Sequence, residues 1–200
     1  MSGSYRFQDP YFHRAKKDRY LARAVYKLEE IQQRHRILKP GDRVLDLGAA
    51  PGSWVQLASG LVGPRGVVVA VDVKAMTHPF EGNVKVLQAD VFDDALMERL
   101  LRDHVPFDVV LSDMAPSTSG VRSADSARSE LLFERALAVA EGTLRRGGHF
   151  LAKIFHGSEF HDLLTRVKQR FRRVKVVKPD ASRKASKEIY ILGMDYKGVV

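Results

Sequence analysis

The sequence predicts an α/β domain: a mostly parallel, seven-stranded sheet with helices on both faces and an antiparallel final strand. Seven short runs rich in Val, Ile and Leu recur along the chain, and stretches with helical spacing of apolar residues separate most of them. A turn of small residues directly after the first run marks the end of the sheet where a ligand is expected. The 200 residues, 44% of them hydrophobic, suffice for one core. No repeat, low-complexity segment or linker divides them. A single domain over 1–200 is therefore expected, with 1–40 as a basic helical N-terminal extension.

From Arg19 to about Ile31, the apolar residues Leu21, Val25, Leu28 and Ile31 recur at helical spacing, with Arg19, Arg23 and Lys27 at i, i+4 on another face. Lys39-Pro40-Gly41-Asp42 ends that helix. RVLDL (43–47), GVVVAVD (66–72), VKVLQAD (84–90), FDVVLSD (107–113) and GHFLAKIF (148–155) then read as buried strands. Helices are expected at Ser53–Leu61, Asp94–Arg102, Ser126–Leu144 and Ser158–Arg170. Asp93 or Asp94 and Ser158 suit N-caps, and Gly147-Gly148 suits a helix stop. RVKVVKP (173–179) and EIYILGM (188–194) are joined by too few residues for a helical crossover, which predicts an antiparallel pair.

Composition narrows the chemistry. The absence of cysteine excludes a disulfide framework, a thiolate nucleophile and a Cys-ligated metal, and suits a cytoplasmic location. His78, His149, His156 and His161 have no zinc-type spacing with carboxylates, so no metal is expected. No apolar run reaches the ~18 residues of a membrane span, and the N-terminal stretch lacks the apolar core of a secretory signal. The net charge of +9 is divided unevenly: residues 1–43 carry +6, residues 166–187 carry +9, and the remainder carries −6. Two basic ends around an acidic middle point to a polyanion, nucleic acid foremost. Arg19, Arg23 and Lys27 at one end, and Arg170, Arg172, Arg173, Lys175 and Lys178 at the other, are the expected phosphate contacts.

Gly48 to Gly52, with Ala49, Ala50 and Pro51 between, joins the first strand to the next helix with almost no side chain. Small residues let a ligand approach the backbone, and a helix N-terminus offers unpaired N–H groups. A phosphate-binding P-loop needs Gly-Lys-Ser/Thr, which is absent, and the G-x-x-x-G spacing is not that of a dinucleotide fingerprint. A nucleoside ligand without a pyrophosphate remains. Asp72, ending the second strand, can accept from ribose hydroxyls, and Asp90, ending the third, can accept from an adenine amine. With Asp46, three strand-end acids beside one bare turn point to S-adenosylmethionine.

LDLGAAPGSW, LSDMAPSTSG, LAKIF and SKEIYI, with YKLEEIQ and KPDASRKASKEIY in order, resemble the FtsJ-type ribosomal RNA 2′-O-ribose methyltransferases, over about residues 11–194. The resemblance implies a Rossmann-like class I methyltransferase fold. It implies cofactor contacts at Gly52, Trp54, Asp72, Asp90 and Asp113, and a catalytic tetrad of Lys27, Asp113, Lys153 and Glu188. It further implies a uridine of 23S ribosomal RNA as target, with the assembled large subunit as partner; no membrane is expected, and the chain is expected to act as a monomer.

The tetrad also makes sense chemically. Lys153 lies among Phe150, Leu151, Ile154 and Phe155, a costly place for an amine without a partner or a task. Methyl transfer to a ribose hydroxyl requires that oxygen to lose its proton, so Lys153 is the expected base, oriented by Asp113, with Lys27 and Glu188 positioning the hydroxyl. Two other classes fit parts of the pattern. One is an RNA-binding ribosome assembly factor on the same fold. The other is a methyltransferase acting on an amine or another RNA, for which DMAPS is a poor match and Lys153 has no purpose.

Overall fold

A computed structural model describes residues 10–117, 119–183 and 186–198. Seven strands form one sheet in the order β3-β2-β1-β4-β5-β7-β6. They are β1 (Arg43–Leu47), β2 (Val67–Asp72), β3 (Val84–Gln88), β4 (Phe107–Ser112), β5 (Leu144–Phe155), β6 (Phe171–Val177) and β7 (Glu188–Tyr196). The first five run parallel, and β7 lies antiparallel to both β5 and β6. The chain leaves β1 toward β2 and β3, then returns to the other side of β1 for β4, so the strand order reverses between β1 and β4. That switch point opens a crevice at the strands' C-terminal ends.

Alternation along the strands sorts the core into two layers. On one face Leu45, Leu47, Val110, Phe150 and Ala152 pack with α5 (Arg122–Thr143) and α6 (Phe160–Arg170). On the other, Val44, Val68, Val109, Leu111 and Leu151 pack with α2 (Val25–His35) and α3 (Ser53–Val62). α4 (Asp94–Asp103) joins the first face through Leu96. Leu28 and Ile31 of α2 are fully buried, each contributing about 1.5–3 kcal/mol of burial. α1 (Pro10–Lys17) adds Ala15 to a small cluster with Val25, Tyr26 and Ala181.

Several elements differ from expectation. The helix expected from Arg19 begins at Val25, because Arg19 adopts φ 61°, a left-handed conformation that interrupts helical continuity. Arg19, Arg23 and Lys27 therefore do not form one helical stripe, and Leu21 is exposed. β3 is an edge strand with exposed Lys85, Val86 and Gln88 rather than a buried one. Gly147-Gly148 is not a helix stop: α5 ends at Thr143, and the pair lies inside β5 where the register with β4 slips between Phe107 and Val109. Ser158 does not cap α6, whose N-cap is Glu159. Asp93 does cap α4, its Oδ1 accepting from the N–H of Ala95 at 2.9 Å.

Candidate active site

The small-residue turn is bound to the neighbouring strand before any ligand is considered. The N–H groups of Gly48 and Ala49 both donate to the carbonyl of Val71, at 2.8 and 3.1 Å. Gly48 has φ 75°, and a Cβ there would sit 2.4 Å from Met114 Cγ, so only glycine lets the turn pass under the loop after β4. Gly52 has φ 110° and caps α3. A Cβ on Gly52 would strike the Phe80 ring at 2.3 Å, so this glycine is needed for packing; it is not among the residues that line the cavity beside Asp72.

Asp72 ends β2 and holds the turn from below. Its Oδ2 accepts from the N–H of Ala50 at 2.9 Å and its Oδ1 from that of Lys74 at 2.8 Å. Each oxygen keeps a second lone pair. Asp90 likewise accepts from its own loop, at the N–H of Phe92. Asp72, Asp90 and Asp113 line one cavity of about 290 Å³, together with Gly48, Ala50, Ala89, Met114 and Leu132. Trp54 is placed differently. Its indole is buried, donates Nε1–H to the carbonyl of Ala24 at 2.8 Å and packs on Tyr190 at 5.8 Å. Its side chain ties α3 to the approach to α2 and does not line the cavity. What it can offer a ligand is its backbone N–H, which precedes the first intrahelical bond from Gln56 to Gly52.

The tetrad residues assemble as two ion pairs on either side of Tyr190. Lys153 Nζ donates to the carbonyl of Asp113 at 2.6 Å and meets the Asp113 carboxylate at 3.0 Å. Lys27 Nζ meets Glu188 at 2.9 Å. Both lysines are buried, at 5% and 8% exposure, so each charge depends on its partner. Strand pairing explains the placement: Lys153 is opposite Tyr190, and Phe155 opposite Glu188, in the β5–β7 ladder.

Tyr190 was not among the expected site residues. Its hydroxyl donates to Asp113 Oδ1 at 2.6 Å, and Lys27 Nζ lies 5.9 Å from its ring centre. Burial, then the nearby Asp113 charge, push its phenol well above the ordinary tyrosine range, so it is a donor at neutral pH. The period of two in SKEIYI places it on the same strand face as Glu188, and that signal was available in the sequence. Asp125 was missed as well. It accepts from Ser119 N–H at 2.8 Å, Ser119 hydroxyl at 2.9 Å and Gly120 N–H at 3.3 Å, which fixes the far end of the loop that follows β4.

Comparison with known proteins shows the family and the fold. The FtsJ-like methyltransferase family model matches residues 20–196. The chain belongs to this family. A relative from Syntrophobacter fumaroxidans, named ribosomal RNA large subunit methyltransferase E, is 66% identical over 191 residues, covering 96% of this chain and 97% of its own. A namesake from Bdellovibrio bacteriovorus is 46% identical, covering 97% and 100%. Among solved structures, a candidate ribosomal RNA methyltransferase from Plasmodium falciparum superposes with a TM-score of 0.77 at 28% identity, covering 90% of this chain and all of its own. Aeropyrum pernix fibrillarin, solved with S-adenosyl-L-methionine bound, shares the fold at a TM-score of 0.59 and 18% identity, covering 85% and 76%. The FtsJ-like fold thus accounts for the sheet order and for the ligand crevice at its switch point. Among the described residues, no helix is long and apolar enough to cross a membrane.

Proposed function

We infer that the protein is an S-adenosylmethionine-dependent methyltransferase that modifies a ribose 2′-hydroxyl, that of a uridine in 23S ribosomal RNA of the large subunit. The observation that carries this reading is the pairing of the buried Lys153 with Asp113, which itself lines the acidic cavity.

The donor set of the cavity fits that cofactor. Among the described residues three carboxylates and one cation, Lys74, line it, a balance that repels a pyrophosphate and favours ribose hydroxyls, amines and a sulfonium. Asp72 would hold the ribose hydroxyls, Asp90 the adenine end, and Gly52 and Trp54 would contribute backbone. When bound there, the cofactor supplies an electrophilic methyl group.

The chain's own residues handle the hydroxyl. A neutral lysine amine has two N–H groups and one lone pair. The carbonyl and the carboxylate of Asp113 can take both N–H groups of Lys153, leaving the lone pair for an incoming O–H. Lys153 accepts the hydroxyl proton as the oxygen attacks the methyl carbon. Tyr190 donates to the same Asp113 oxygen, Oδ1, that meets Lys153, and so helps to fix the Asp113 rotamer. Lys27, held by Glu188, approaches the same oxygen as a donor. Burial excludes water from competing for Lys153.

The test is transfer of tritium from labelled S-adenosylmethionine to large ribosomal subunits taken from cells that lack the protein. Label in 23S RNA is expected. Label confined to protein, or no transfer at all, contradicts the reading; the second outcome would favour an assembly factor.

A further inference from the structure

The acidic cavity is braced from behind by a cation that does not line it. Arg135 lies on α5 one turn beyond Leu132; Leu132 lines the cavity and Arg135 does not. The Arg135 Nε–H donates to the carbonyl of Val91, and its guanidinium carbon lies 5.8 Å from the Phe92 ring centre. Its Nη2 stands 3.5 Å from Asp94 Oδ1 and is buried, with no hydrogen bond among the described residues. The Asp94 carboxylate is 97% exposed, so solvent screens that ion pair and leaves it worth little. The contact that matters is the one to Val91.

The Val91 carbonyl belongs to the same peptide unit as the Phe92 N–H, and this N–H donates to Asp90 Oδ1 at 3.0 Å. A guanidinium, a peptide dipole and a carboxylate are thus joined head to tail. Donation into the carbonyl strengthens the N–H as a donor at the other end of the unit. The Asp90 carbonyl accepts from Asp93 N–H at 3.0 Å, which closes the loop. Asp90 lines the cavity, and among the described residues its Oδ2 accepts no hydrogen bond.

We propose that Arg135 is a positioning residue for the adenine end of the cofactor: through the Val91–Phe92 peptide it pins one oxygen of Asp90 and so aims the other at the adenine amine. The proposal rests on the cofactor reading above. An ionised carboxylate only accepts, and a hydrogen bond weakens steeply once it is misdirected, so pinning one oxygen sets how well the other receives the amine. Arg135 itself touches neither cofactor nor RNA.

The test is a double-mutant cycle on calorimetric binding of S-adenosylhomocysteine, with wild type, Arg135→Gln, Asp90→Asn and the double variant. Arg135→Gln should raise Kd about threefold to tenfold, and the double variant should bind within about twofold of Asp90→Asn alone, as expected of residues that act as one unit. In transfer assays the Arg135→Gln loss should fall in KM for S-adenosylmethionine rather than in kcat. Effects that multiply in the double variant overturn the proposal, because Arg135 then acts elsewhere than on Asp90. An unchanged Kd in Arg135→Gln overturns it too. If Arg135→Gln melts early, Arg135→Lys keeps a cationic donor and should bind within about twofold of wild type. A larger loss with lysine must vanish beside Asp90→Asn, and one that persists overturns the proposal. Failure of the wild type to bind S-adenosylhomocysteine overturns the cofactor reading itself, whereas tight wild-type binding with multiplying effects overturns only the role of Arg135.

Discussion

Lys153 has its two N–H partners in one residue, Asp113, and that arrangement makes a sharp claim. Lys153→Ala should fold and bind cofactor yet lose transfer by about 10²–10⁴-fold, the usual worth of a positioned acid–base group. Lys153→Arg should rescue poorly, since a guanidinium stays protonated and cannot accept the hydroxyl proton. Single-turnover rates with saturating cofactor and RNA check this. An arginine variant with near-normal turnover would move Lys153 to an electrostatic role. Asp46 makes a separate claim about stability. It is 1% exposed and neither carboxylate oxygen has a hydrogen-bond partner in the described protein. Burial, then the Asp113 and Asp72 charges, hold its carboxyl well above the ordinary value of 3.8. The folded state thus keeps a proton that the unfolded chain releases, so stability falls as pH rises from about 4 toward the folded-state pKa. Asp46→Asn should raise the melting temperature of the ligand-free protein at pH 8, with the gain fading toward pH 4. An equal change at both pH values would mean that Asp46 is ionised in the fold.

At the scale of elements, the basic C-terminal run is divided by its strand. β6 is an edge strand antiparallel to β7, so Arg170, Arg172 and Arg173 sit at the end of the sheet away from the tetrad. Lys178 sits at the near end. Arg170 pairs with Glu141 and Arg173 with Asp195, both at 2.8 Å. Arg170→Gln with Arg173→Gln should therefore leave half-saturation for RNA nearly unchanged, and cost under about 1 kcal/mol per exposed pair. A rise of tenfold or so would mean that substrate wraps to the lower edge. The strand runs, their order and the antiparallel end were legible because apolar runs of period two and short connections constrain a sheet strongly. The start of α2 was not, because a backbone reversal at Arg19 leaves no mark in apolar spacing. The slip inside β5 was hidden similarly, since glycines serve a bulge as readily as a helix stop. In the site, residue types and positions were legible, but directions were not. Trp54 turns away from the cavity to Ala24, and Tyr190 enters through a hydroxyl that a core aromatic does not advertise.

Across the whole molecule, charge is sorted around one row of side chains. Asp72, Asp90 and Asp113 line the cavity on one side, and Arg23, Lys27 and Arg183 line a second cavity on the other. Lys153 and Tyr190 stand between, carried by two paired strands, β5 and β7, and Glu188 lines the second cavity beside Lys27. Under the proposed function, a cationic methyl donor would approach from the acidic side and an anionic RNA from the basic one, to meet at one buried amine. The net +9 of the chain is thus less informative than its partition, which keeps the acidic lining in the middle of the sequence and the basic residues at its two ends.

The most direct measurement follows the tritium label into the nucleotide. A 2′-O-methyl group removes the hydroxyl that attacks the adjacent phosphodiester in alkali, so the bond 3′ to a methylated ribose survives hydrolysis. Large subunits labelled by the wild-type protein should yield the label in one alkali-resistant dinucleotide, and subunits treated with Lys153→Ala should yield almost none. Label recovered in mononucleotides, the mark of a methylated base, would contradict the account.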